Sequence, residues 1–142
     1  MNQRYTRAMN YWLLKSDPDT YAWPDLVREG KTRWDGIRNA QARNFLREMK
    51  VGDLALFYHS QTERAVVGVV EIVRAAYADP TAKEGDWSCV DIRPVEAWNV
   101  PVPLAEIRAK DGLKDLLLLK QGRLSVTPIP ATAWKAIKAL RP

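Results

Sequence analysis

The sequence predicts a single α+β domain, a strongly curved sheet or small barrel flanked by short helices. Three observations carry this. Two apolar, β-branched runs, LALFYHS (54–60) and AVVGVVEIV (65–73), are joined by QTER and read as a hairpin. Ahead of them, Ala42, Phe45, Leu46 and Met49 recur at helical spacing. The 142 residues contain no repeat, no low-complexity stretch and no long linker, which suits one core.

In chain order, YWLLK (11–15) reads as a first strand ended by the turn-rich SDPD. A short helix follows at 23–28, with Pro24 in its first turn and Gly30 past its end. KTRWDG is extended or looped. Asn39 then caps the central helix. Beside its apolar stripe lies a basic one, Arg43, Arg47 and Lys50. The run 65–73 expects burial on both faces, and Gly68 within it marks a bulge or a close backbone approach. WSCVDIRPV (87–95) is a third middle strand. LAEIRAKDGLKDLL forms one or two short helices, RLSVTPI (123–129) is extended, and PATAWKAIKAL closes with a helix. The first eight residues read as a flexible extension, leaving 9–142 as the domain.

Charge is unevenly spread. The net +5 divides into +4 over residues 1–50, −4 over 51–100 and +5 over 101–142. If the two basic thirds meet in space, they form a face suited to a phosphate backbone; the alternative is charge for solubility alone. No apolar run approaches the ~20 residues of a membrane span, and the N-terminus has no apolar signal core. Cys89 is the lone cysteine, which fits a reducing cytosol and a cytoplasmic protein.

Signatures of catalysis are sparse. One histidine and one cysteine cannot build a zinc site, and the seven glycines follow no phosphate-cradling pattern, so neither metal nor cofactor is expected. Cys89 and His59 can be written as nucleophile and base, but Cys89 in an alternating strand reads better as packing. What remains is a binding constellation at the mouth of the central helix. Its first N–H groups and Arg38 favour an anion. Trp34 offers a stacking face, with core packing as the alternative. Asp35 and Asn39 can meet a base edge, although Asn39 is also simply the cap. Lys15 and Ser16 end the first strand, where polar residues suit a site or an ordinary turn.

The blocks YWLLKSDPDTYAWPDL, TRWDGIRNAQARNFLREMKVGDLALFYHS, VVGVVEIVRAAYADPTA, CVDIRPV and RLSVTPI, in this order, resemble an EVE domain from about Met9 to the C-terminus. The resemblance implies a PUA-like, strongly curved β-barrel flanked by helices. It also implies recognition of a modified base flipped out of DNA or RNA. Lys15–Ser16 resembles the Lys-Ser at the pocket of the related YTH domains, and Trp34 resembles their first cage tryptophan. The strand end Tyr58–Ser60 and the basic Arg123 also match. Tyr77 and Trp87 do not align with a second cage tryptophan, and Leu124 stands where an acidic residue is expected. A modified cytosine or an unidentified base therefore fits better than methyladenine.

The expectation is a non-catalytic reader. Its base pocket comprises Lys15, Ser16, Trp23, Trp34, Asp35, Asn39, Tyr58, His59, Ser60 and Ser125. Phosphates fall to Arg38, Arg43, Arg47 and Arg123. Its partners would be modified DNA or RNA and a separate nuclease or effector, with no membrane. Two rivals stand beside it. One is a small hydrolase or ribonuclease of the related ASCH type, using Lys15, Asp35, Tyr58 and His59. The other is a sensor of free nucleotides.

Overall fold

A computed structural model describes residues 9–142; the expected N-terminal extension lies outside the described residues. The elements run β1 (Tyr11–Ser16), α1 (Trp23–Glu29), β2 (Thr32–Trp34), α2 (Ala40–Glu48), β3 (Leu54–His59), β4 (Ala65–Ala78), β5 (Ser88–Pro103), α3 (Leu104–Ala109), α4 (Leu117–Lys120), β6 (Val126–Ile129) and α5 (Ala131–Ala139). The predicted LAEIRAKDGLKDLL segment holds one helix, α3, and α4 begins only at its last residue, Leu117. Only the second half of RLSVTPI is strand.

Six strands form one mixed sheet in the order β2-β5-β4-β3-β1-β6. β1 runs parallel to β3 and antiparallel to β6. The parallel pair requires a crossover, and 17–53 supplies it with α1, β2 and α2. β2 leaves that crossover to pair with β5 at the far edge, Trp34 opposite Val90. The anticipated barrel is realised as a bent sheet that does not close, since β2 and β6 are its two edges.

The bend comes from β4 and β5. Their ladder shifts register at four places, between Val66 and Gly68 and beyond, as well as opposite Phe57–Tyr58 in β3. Each irregularity kinks a strand and increases its twist. These shifts also explain why both strands run past the predicted ends at 73 and 95. The alternation of side chains is broken at the bulges, so the sequence pattern fades while the pairing continues. Gly68 meets both of its expected explanations. A Cβ there would lie 2.5 Å from Trp23 Cη2 and 2.7 Å from the Glu96 carbonyl oxygen.

Alternate residues of β1 feed two cores. Trp12 and Leu14 join Ala55, Phe57, Val70 and Ile92 beneath α1 and α2. Leu13 joins Leu56, Tyr58, Val69 and Trp98 beneath α3, α4 and α5. In α2, Ala42 and Leu46 are buried as the stripe predicts, and Asn39 Oδ1 accepts from the Ala42 N–H at 2.9 Å. In α1, the Asp25 carboxylate accepts from the Ala22 N–H at 2.8 Å, and Gly30 ends the helix at φ 76°. Among the described residues, no helix is long and apolar enough to cross a membrane.

Candidate functional site

A cleft of about 480 Å³ opens where β1 ends. Lys15 and Ser16 come from the strand, Asp17, Thr20 and Tyr21 from the turn after it, Thr32, Arg33 and Trp34 from β2, and Asp35 and Ile37 from the approach to α2. The volume lies within the range of small-ligand pockets. Its wall is assembled by the SDPDT turn. The Thr20 and Tyr21 amides donate to the Asp17 carbonyl at 2.9 and 2.8 Å, folding the chain back. Ser16 Oγ donates to the Tyr21 carbonyl at 2.5 Å, which locks Tyr21 beside the strand end. The Tyr21 hydroxyl donates to Glu29 at 2.7 Å. Burial, reinforced by Glu29, pushes its pKa up to about 12, so it remains a donor.

Trp34 is half-buried. It meets Tyr21 edge-on at 6.0 Å and Phe57 at 5.5 Å between ring centroids. Its indole Nε1 is buried and has no hydrogen-bond partner, a state shared among the described residues only by Thr127 Oγ1. Such an unpaired donor is uncommon in a folded interior. Lys15 Nζ donates to the Gly122 carbonyl at 2.7 Å, and burial lowers its pKa. Asp35 accepts from Arg33 Nε at 2.8 Å.

Four of the ten expected pocket residues, Lys15, Ser16, Trp34 and Asp35, therefore meet in the cleft. The others stand elsewhere. Trp23 packs edge-on against Phe57 at 5.5 Å and fills the space over Gly68. His59 accepts the Trp23 N–H on Nε2 at 2.9 Å and turns Nδ1 toward Glu63 at 2.7 Å. With Nε2 accepting, the proton sits on Nδ1 and the ring acts as a clamp between β3 and α1. Asn39 is the helix cap. The Ser60 amide and hydroxyl both donate to the Ser16 carbonyl, tying the ends of β3 and β1 together. The Ser125 carbonyl accepts from the Lys15 amide. Tyr58 and Ser60 line a second cavity on the other side of Lys15. Tyr21, Thr20, Thr32, Arg33, Asp17 and Ile37 were not anticipated. The one local signal for Tyr21 is an aromatic residue directly after a turn that closes a strand.

Three of the four expected phosphate arginines have intramolecular work. Arg38 pairs with the fully buried Asp79 carboxylate at 3.0 Å and donates to Thr81 at 3.1 Å. Arg47 holds Asp86 at 2.6 Å and Ser88 Oγ at 2.9 Å. Arg43 donates to the Asp86 carbonyl at 3.2 Å and lies over the Trp87 ring at 5.4 Å. The basic flank of α2 thus clamps the 79–88 loop onto the domain. Burial pushes the Asp79 carboxyl up, but hydrogen bonds from Thr81, the Gly36 amide and Arg38 outweigh it and hold it well below the usual carboxylate range. Arg123 is exposed and makes no hydrogen bond or ion pair with another described residue. Among the described residues, no group of three or more His, Cys, Asp or Glu is placed to hold a metal ion.

The bent mixed sheet and the cleft at its β1 end define a PUA-like domain. Within that class the chain belongs to the EVE domain family, whose model matches residues 10–140. Thymocyte nuclear protein 1 of Mus musculus is 37% identical over 165 residues, which cover 92% of this chain and 73% of that protein. A crystal structure of a protein from Agrobacterium tumefaciens is 39% identical, with a TM-score of 0.89 over 92% of each chain. The human THYN1 protein, crystallised in complex with 5-methylcytosine-containing DNA, is 32% identical, with a TM-score of 0.85 over 94% of this chain and 98% of its own.

Proposed function

We propose that this protein binds nucleic acid without cleaving it and receives one modified, cytosine-type base in the cleft against Trp34. The observation that carries the reading is the composition of the cleft wall: a half-buried indole with ionic and hydroxyl groups around it. The complex of the human THYN1 protein with 5-methylcytosine-containing DNA supports the choice of base.

Each element has a chemical part. Stacking on Trp34 contributes roughly 1–3 kcal/mol. That offsets the few kcal/mol needed to turn a base out of its stack. Cytosine offers acceptors at O2 and N3 and a donor at N4. Lys15 uses one proton on Gly122 and has two to offer the acceptors. Asp35 has an oxygen beyond the one held by Arg33 for the amino group. A 5-methyl group adds apolar area against Ile37 or the Tyr21 ring, worth about 0.8 kcal/mol if fully buried. Ser16 holds the wall through Tyr21, and Ser60, Trp23, Asn39, His59 and Ser125 act behind the cleft by fixing the elements that form it.

The test is a titration at fixed salt with matched DNA and RNA oligonucleotides carrying cytosine, 5-methylcytosine or 5-hydroxymethylcytosine. Preference for one modified base, lost in Trp34→Ala, is the expected result. Equal binding to all, or a preference that survives Trp34→Ala, overturns the assignment of the cleft.

A further inference from the structure

On the far side of Lys15 lies the second cavity, about 400 Å³, lined by Tyr58, Ser60, Arg64, Arg108, Leu118 and Gly122 among others. Lys15 belongs to the walls of both cavities. Three cations face this space, and no carboxylate lines it. Six of the eleven arginines among residues 9–142, Arg28, Arg33, Arg38, Arg47, Arg93 and Arg141, are tied to an acid. Arg64 and Arg108 do not, and neither has an ion pair with any described residue. Glu63, which borders the adjoining hollow, is taken up by His59.

The placement of these groups is built into the fold. Arg64 closes the β3–β4 turn with φ 49°, and its carbonyl accepts from the Leu104 amide at 2.8 Å, which joins the turn to α3. Arg108 projects from that same α3. Tyr58 is only 3% exposed, and its hydroxyl meets the Arg64 guanidinium. Burial raises the Tyr58 pKa, so the hydroxyl stays protonated and able to donate. Lys15 lies 5.8 Å from the centre of the same ring. Two guanidinium groups, an ammonium and a phenol thus converge on one hollow. All four donate hydrogen bonds, and the three cations suit a dianionic or diester oxygen group.

We propose that this second cavity holds a phosphate of the strand whose base enters the Trp34 cleft, gripped by Arg64, Arg108 and Lys15 with the Tyr58 hydroxyl. The proposal rests on the base-binding reading for its strand. It moves the phosphate contact away from the basic stripe of α2, whose arginines hold the 79–88 loop. Lys15, shared by both walls, would then couple base and backbone.

The experiment is the salt dependence of binding to the methylated and plain oligonucleotides. Each phosphate contact contributes about 0.9 to the slope of log K against log salt on duplex DNA. In Arg64→Gln/Arg108→Gln the slope should become shallower by about 1. Affinity should fall about tenfold for both oligonucleotides, leaving their ratio unchanged. Arg43→Gln/Arg47→Gln removes the same charge and should leave the slope within error. Arg108→Gln alone, which lies outside the strained turn, should shift the slope in the same direction. A wild-type slope in both Arg108 variants overturns the site. A shifted slope without any preference for a modified base would sink the cleft reading but support the phosphate site. Competition by inorganic phosphate as effective as that of the oligonucleotide, per phosphate, would overturn the strand assignment in favour of a free phosphate compound.

Discussion

Trp23 and Trp34 both meet Phe57 edge-on with ring centroids 5.5 Å away. By that contact they are equivalent, yet they serve different regions. The remainder of Trp23 closes over Gly68 and is held by His59 through its own N–H. The remainder of Trp34 walls the cleft, and its Nε1 has no partner. The comparison teaches that a shared core contact does not assign a tryptophan to the core. What lies against the rest of the ring decides its role.

The two regions should respond differently to substitution. Trp23→Ala removes a large, half-buried ring packed on Phe57 and over Gly68 and should cost about 3 kcal/mol of stability, read from urea unfolding. A loss below about 1 kcal/mol would break the comparison. Gly68→Ala forces a methyl against Trp23 and the Glu96 carbonyl and should cost about 1–3 kcal/mol or more by overpacking, in the same assay. Trp34→Ala should show the inverse pattern. Affinity for the modified base should fall by roughly 1–3 kcal/mol, with a smaller stability loss than Trp23→Ala.

Acid sharpens the contrast further. The depressed pKa of Asp79 means that its folded form favours the carboxylate more than the unfolded chain does. Its contribution is complete above about pH 4, the ordinary carboxyl value, and is lost as pH falls through the folded pKa. Asp79 accepts from the Gly36 amide at 2.8 Å, next to Asp35 of the cleft, so this acid-sensitive contribution lies on the Trp34 side. Thermal unfolding across this range should show a smaller acid-induced drop in Asp79→Asn than in the wild type. The smallest effect belongs to Asn39→Ala, about 1 kcal/mol from the lost cap, with the ratio of methylated to plain binding unchanged.

What was legible in the sequence was local. The cap at Asn39, the stripe through Ala42 and Leu46, and the hairpin around QTER depend on neighbours within a few residues. So does the recognition of Lys15, Ser16, Trp34 and Asp35 as polar or aromatic groups at element ends. The rest depended on pairings remote in the chain. Arg43 and Arg47 looked free because their partners lie 39–43 positions away at Asp86 and Ser88. Trp23 looked available because nothing nearby announces Gly68 and His59. Tyr21 and Thr32 enter the cleft only because β2 crosses to β5 and the SDPDT turn folds back. The lengths of β4 and β5 were hidden by their bulges, which erase alternation without ending the ladder.

The unclosed sheet carries a consequence for the protein in concentrated solution. An open sheet ends in two rows of backbone groups, and such rows invite a second chain to add a strand. Here both rows are poor templates. β2 is three residues long and carries the exposed Arg33 at its centre. β6 is four residues long, and Pro128 within it has no N–H to give. Short, charged and proline-interrupted borders protect this domain from edge-to-edge aggregation without closing the barrel.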